Sequence, residues 1–166
     1  MRKITEIIVH CTATRADWAK QKSTRWRVDE VRRWHVDERG WLDIGYHFLV
    51  DRDGTVANGR PVEITGAHCE GHNQNTIGIA LFGGHGSTAH DKFLNHFTPQ
   101  QDDALRKLIA DLRREFPSIN KVTGHNRYSA KACPGFIVNE WMSEVDPQPI
   151  GWLTWLVNIL TRKKDV

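Results

Sequence analysis

A mixed α/β layer fold is expected from three features of the sequence. Short β-branched runs, such as Ile7–Val9 and Ile77–Leu81, alternate with segments whose apolar residues recur at helical spacing. Asp53-Gly54 separates two β-rich runs, which is a hairpin signal. The stretch Pro99–Phe116 carries both a helix start signal and a continuous apolar stripe. Strands interleaved with helices bury their apolar faces best as packed layers.

The elements follow in order. Thr5–Val9 reads as a short buried strand that ends at His10. Arg15–Arg27 is basic and without period, and reads as a loop. Val28, Val31, Trp34 and Glu38 then sit at helical spacing, with Ser23 or Thr24 as caps and Gly40 closing the element. Tyr46–Val50 and Thr55–Ala57 form the hairpin. Ile77, Ile79 and Leu81 alternate in a further strand, followed by Gly83-Gly84.

For the long helix, Thr98 suits the N-cap, Pro99 the first turn and Gln101 the return bond of a capping box. Ala104, Leu105, Leu108, Ile109, Leu112 and Phe116 form its buried stripe. Ile119–Thr123 reads as a strand leading into His125, and Ile137–Val145 as the last helix. Pro147-Gln148-Pro149 then breaks the chain, which divides it into a domain over residues 1–146 and a tail over 147–166.

Composition narrows the function classes. A chain of 166 residues with 39% hydrophobic and 26% charged side chains is long enough for one real core. Its mean hydropathy of -0.53 excludes a polytopic membrane protein. The charge of +3 favours anionic partners without choosing among them. Three widely spaced cysteines (Cys11, Cys69, Cys133) cannot form a disulfide framework, so reduced thiols or a metal ligand are expected. Glu6 and His10 interrupt the first apolar stretch too soon for a signal peptide, and synthesis in the cytoplasm is expected.

Most of the nine histidines are background, because a lone His is more often a surface or core-edge residue than a ligand. His10 in VHCTAT stands apart, as do His125 and Cys133 in GHNRYSAKACPGF. Two imidazoles and a thiolate suit Zn²⁺, and three protein ligands leave the fourth position open, the arrangement of a catalytic rather than a structural zinc. The spacing between His125 and Cys133 does not by itself settle the matter.

Four separated motifs, IIVHCTAT, RRWHVDERGWLDIGYHFLVDRDGTV, HNQNTIGIALFGG and GHNRYSAKACPGF, together closely resemble the phage N-acetylmuramoyl-L-alanine amidases. These enzymes, also called phage lysozymes, share a fold with the peptidoglycan recognition proteins. The resemblance spans about residues 4–146 in matching order. It implies a central mixed β-sheet flanked by helices, with zinc in a surface groove. It implies that His10, His125 and Cys133 are zinc ligands, that Tyr46 and Lys131 are the catalytic pair, and that His68 is a cleft histidine contacting substrate. Alone, Tyr46 would read as a core-edge residue and Lys131 as a solvated charge.

The activity so implied is that of an endolysin cutting the amide between N-acetylmuramic acid and L-alanine, made in the cytoplasm and acting on the wall as a monomer. Bound Zn²⁺ would lower the pKa of its water to about 7 and polarise the carbonyl. A lysine near the developing oxyanion is worth about 10²–10³ in rate. Two rivals lose ground. Binding-only relatives lack the cysteine ligand, whereas Cys133 is present here. A nucleic-acid role would use the Arg15–Arg33 charge, but Asp17, Asp29 and Glu30 interrupt it and no recognition motif appears, so no specific nucleic acid is expected. Polymerase inhibition, known in some family members, uses an extension before the first strand. Only about three residues precede that strand here, so RNA polymerase is not an expected partner.

The tail departs from the compact phage members. Read as a helix, Gly151, Thr154, Asn158 and Thr161 form a narrow polar strip among Trp152, Leu153, Trp155, Leu156, Val157, Ile159 and Leu160. Its apolar stretch is too short for a span, which needs about 20 residues. Trp152 and Trp155 with Arg162-Lys163-Lys164 suit the interface of an anionic membrane or lipopolysaccharide. The alternative is a helix folded back on the domain.

Overall fold

The computed structural model describes residues 2–144, so the tail and the expectations placed on it lie outside the described residues. Five strands form one sheet: β1 (Glu6–Cys11), β2 (Phe48–Val50), β3 (Val56–Asn58), β4 (Thr76–Leu81) and β5 (Lys121–Gly124). Their spatial order is β3-β2-β4-β1-β5. β1 runs parallel to both β4 and β5, β2 runs parallel to β4, and only the hairpin partner β3 is antiparallel. The mixed central sheet implied by the resemblance is therefore observed.

β1 and β4 are buried at every position, which is why both read as near-continuous apolar runs. Alternation of side chains across the sheet divides them between two layers. Ile7, Val9, Ile77, Ile79 and Leu81 pack in one cluster with α3 (Pro99–Glu115) residues Leu105, Ile109 and Leu112, the short helix α2 (Phe93–His96) and α4 (Val138–Ser143). Ala80 and Leu49 pack on the other face with Val28 and Val31 of α1 (Thr24–Arg33). Trp18 and Trp34 join that second layer and Trp141 the first, so core packing accounts for several of the tryptophans.

The capping box of α3 is present: Thr98 Oγ1 accepts from Gln101 N–H at 3.1 Å, and Gln101 Oε1 accepts from Thr98 N–H at 3.2 Å. Gln101 is also fully buried and donates to the carbonyls of Val50 and Phe82, tying the helix to the ends of β2 and β4.

Several boundaries differ from the sequence reading. The expected loop over Arg15–Arg27 turns helical at Thr24, where Ser23 caps the Trp26 N–H at 3.3 Å. The one apolar residue of that first turn, Trp26, is exposed and marks no buried stripe, and Arg27 is buried against Asp51 instead of solvated. Past Arg33 the helix widens into a π-turn over Trp34–Glu38 before Gly40 takes a positive φ of 69°. Tyr46 lies two residues before β2, with its carbonyl accepting from Arg60 N–H at 2.8 Å. β5 starts at Lys121 rather than Ile119, because Ile119 N–H closes a turn onto Phe116. The four-residue α2 has no periodic signature long enough to be read from sequence. Among the described residues, no helix is long and apolar enough to cross a membrane.

Candidate metal centre

Register builds the site. Val9 of β1 pairs with Gly124 of β5 in parallel, so the next residues, His10 still within β1 and His125 just past β5, stand side by side. Their ring centroids are 4.7 Å apart. In open parallel sheets the crevice beyond the carboxyl ends of the strands is the usual ligand position.

Cys133 reaches the same point by a loop that folds back on itself. Asn126 N–H donates to the Cys133 carbonyl at 2.7 Å, which closes the segment between the two ligands. The Asn126 side chain donates to Phe136 O at 3.1 Å and anchors the loop. Gly124 is required beneath it, since a Cβ there would stand 2.5 Å from Asn126 Oδ1 and 2.7 Å from Pro134 Cδ.

The ligand atoms of His10, His125 and Cys133 all lie within 4.8 Å of one another, the only such group of three among the described residues. Cys133 Sγ stands 3.8 Å from His10 Nδ1. Tetrahedral zinc with bonds of about 2.0–2.1 Å to nitrogen and 2.3 Å to sulfur sets that edge at about 3.6 Å. The donor set and its spacing therefore fit Zn²⁺. The backbone N–H of Cys11 donates to Cys133 Sγ at 3.2 Å, which favours a thiolate there.

Electrostatics prepare the ligands. Burial, then the charges of His68 and His125, holds His10 well below the ordinary imidazole range. Burial, then the nearby Lys131 ammonium, lowers His125. Both rings are thus neutral at neutral pH, the form that binds a metal. The adjacent Cys11 thiol, with burial, pushes the Cys133 thiol up, and a bound cation would reverse that by taking the thiolate directly.

Tyr46 packs against the ligands, its ring centroid 5.3 Å from that of His10. Burial, followed by the proximity of Cys133 and Cys11, raises its phenol, so it keeps its proton and remains a donor. Its loop is braced from behind. Arg60 donates to the carbonyls of Ile44 (2.8 Å), Asp43 (2.9 Å) and Thr65 (2.7 Å), and Gly45 N–H donates to His35 Nδ1 at 3.0 Å. Lys131 is exposed on the loop two residues before Cys133.

All six residues singled out in the sequence thus gather at one end of the sheet, but not in equivalent places. His68 lies beside His10, with 8% of its surface exposed and its Nδ1 3.1 Å from His10 Nε2. The sequence reading missed the braces His35 and Arg60. Their only signal was position inside or just after the RRWHVDERGWLDIGYHF motif.

Comparison with known proteins shows the family and the fold. Residues 1–136 match the family described as N-acetylmuramoyl-L-alanine amidase. The endolysin of Escherichia phage T7 is 41% identical over 135 residues, covering 81% of this chain and 83% of that one. The endolysin of Enterobacteria phage K11 is 37% identical over 141 residues, covering 85% and 87%. Among solved structures, the N-acetylmuramoyl-L-alanine amidase LysC from Clostridium intestinale URNW superposes with a TM-score of 0.66 at 28% identity, covering 86% and 85%.

Proposed function

The chain belongs to the N-acetylmuramoyl-L-alanine amidase family and is a peptidoglycan-hydrolysing enzyme of the endolysin type, and on that premise we propose how its residues divide the work. His10, His125 and Cys133 hold Zn²⁺, which supplies Lewis acidity and an activated water when bound. The observation that carries this reading is the convergence of those three ligand atoms, with spacing that suits tetrahedral zinc, at the carboxyl ends of two parallel strands.

The bond cut joins the lactyl carbonyl of N-acetylmuramic acid to the nitrogen of L-alanine. Water oxygen adds to the carbonyl carbon, the C–N bond breaks, and a proton passes to the departing amine. The products are a lactyl carboxylate and a peptide with a free alanine amine. Tyr46, kept protonated by its surroundings, donates a hydrogen bond to the oxygen on which charge develops and passes to the amine the proton that the attacking water gives up, so it ends the cycle protonated as it began. Lys131 places its ammonium beside the same charge without forming a covalent bond.

The tail, residues 147–166, adds contact with an anionic membrane or lipopolysaccharide through Trp152, Trp155 and the basic residues after them. Removing it should abolish binding to anionic liposomes and spare activity on isolated wall. Equal liposome binding by the shortened chain would contradict that role.

Mass spectrometry of purified sacculi digested with and without a zinc chelator tests the catalytic reading. Intact glycan strands and peptides with free L-alanine amines, lost on chelation and restored by zinc, are expected. New reducing sugar ends would mean a glycosidase, and products unaffected by chelation would remove the metal from the reaction.

A further inference from the structure

His68 is a buried imidazole beside a metal ligand to which the reaction as proposed gives no part. Its Nδ1 lies 3.1 Å from His10 Nε2, on the side of the His10 ring away from Cys133. Its Nε2 lies 3.4 Å from Thr76 Oγ1.

Donor directions along this line can be assigned from its far end. Thr76 Oγ1 is 2.7 Å from the carbonyl of His72, which can only accept, so the hydroxyl proton is committed there. Thr76 Oγ1 therefore accepts from His68 Nε2–H. A neutral imidazole has one N–H, which leaves His68 Nδ1 as an acceptor for His10 Nε2–H. That in turn leaves the lone pair of His10 on Nδ1, the nitrogen facing Cys133.

The backbone around His68 is shaped for this ring. Gly78 interrupts the middle of β4, where glycine weakens a strand, yet a Cβ there would stand 2.5 Å from the His68 ring. A Cβ at Gly66 would stand 2.6 Å from His68 Cδ2. Asn73 Oδ1 accepts from the backbone N–H groups of both His68 and Cys69, at 2.9 and 2.8 Å, and fixes the segment that carries the ring. Two glycines, an asparagine and a threonine thus hold one buried imidazole against His10.

We propose that His68 is a positioning residue for the metal: by accepting from His10 Nε2–H it fixes the His10 tautomer and ring angle that present Nδ1 to zinc. Outer partners of this kind raise ligand basicity and remove the freedom of the ring to turn, and their loss typically weakens metal affinity 10–100-fold. The inference rests on the zinc reading above, and two measurements separate their failures.

The first needs no metal: long-range ¹H–¹⁵N NMR of the metal-free protein reads the His10 tautomer. Wild type should show His10 as the Nε2–H form, and His68→Leu should lose that preference. His68→Asn, whose Oδ1 falls near the place of Nδ1, should retain it. The second is zinc competition against a chromophoric chelator. His68→Leu should bind about 10–100-fold more weakly, with His68→Asn much nearer wild type.

Should His68→Leu fail to fold, Thr76→Val, which removes the acceptor for His68 Nε2–H, should shift the His10 tautomer and weaken zinc in the same direction. Wild-type tautomer and affinity in His68→Leu or Thr76→Val would overturn the proposal. Equal weakness of the Leu and Asn variants would reduce His68 to packing and overturn it too. A wild-type protein that binds no zinc would sink the zinc reading, while the tautomer measurement would still judge His68.

Discussion

His10 and Cys133 face each other across 3.8 Å, yet they are held in opposite ways. His10 is 1% exposed on β1, a strand flanked by β4 and β5, with a chain of hydrogen bonds behind it running through His68 and Thr76 to a backbone carbonyl. Cys133 and His125 are half-buried, on a loop closed by the Asn126 to Cys133 bond and anchored by one asparagine side chain. The strand half is set by the fold itself. The loop half is stabilised by its own few bonds, by the Cys11 N–H on Cys133 Sγ and, when present, by the metal. Tyr46 and Lys131, the residues proposed to act on substrate, also stand on loops, where a rigid sheet presents adaptable groups.

The sharpest way to break the comparison is to remove a loop ligand. Cys133→Ser should lose bound zinc and lower amidase activity by about 10³-fold or more, while the melting temperature of the metal-free protein moves little. Metal analysis beside calorimetry reads both. A large fall in metal-free stability would mean that the loop is part of the fold after all.

Lys131→Ala should come next. Zinc content should stay at the wild-type level while kcat falls about 10²–10³-fold, as for loss of one oxyanion donor. An effect confined to KM would instead make Lys131 a substrate-binding residue.

The third test acts on the scaffold that presents the loops. His35 and His47 are held down to about 4 from the ordinary 6.5, chiefly because burial disfavours the imidazolium. The unfolded chain then binds protons that the folded chain refuses. Stability from these two rings is therefore present above pH 6.5 and is lost as pH falls from 6.5 toward 4, by up to about 3 kcal/mol each. Urea midpoints measured across that window should fall, and His47→Gln should flatten the slope. A stability that stays level from pH 6.5 to 4 would contradict the burial account.

These rings also show where sequence reading stops. The strands around His10, Ile79 and His125 are legible because buried parallel strands are apolar runs, and α3 because its cap and stripe are local features. What ties them together is not local. His35 and Arg60 support Tyr46 through backbone carbonyls and a backbone N–H far along the chain, and no periodicity marks such bonds. Gly78 reads as an oddity in a strand until the His68 ring is placed against it. Arg27 reads as part of a solvated basic run until Asp51, at the end of β2, is seen to pair with it.

The smallest effect should come from far away. Thr98→Ala removes the cap of α3 and should cost about 1 kcal/mol in chemical denaturation, with kcat unchanged. A change in kcat would show that the helical layer is coupled to the site more closely than its packing suggests.

X-ray absorption at the zinc edge of the stoichiometric complex tests the central claim most directly. One sulfur at about 2.3 Å, with two imidazole nitrogens and one further light atom, is the coordination expected of His10, His125 and Cys133 with an open fourth position. A second sulfur, a third imidazole, or a protein that holds no zinc would contradict it.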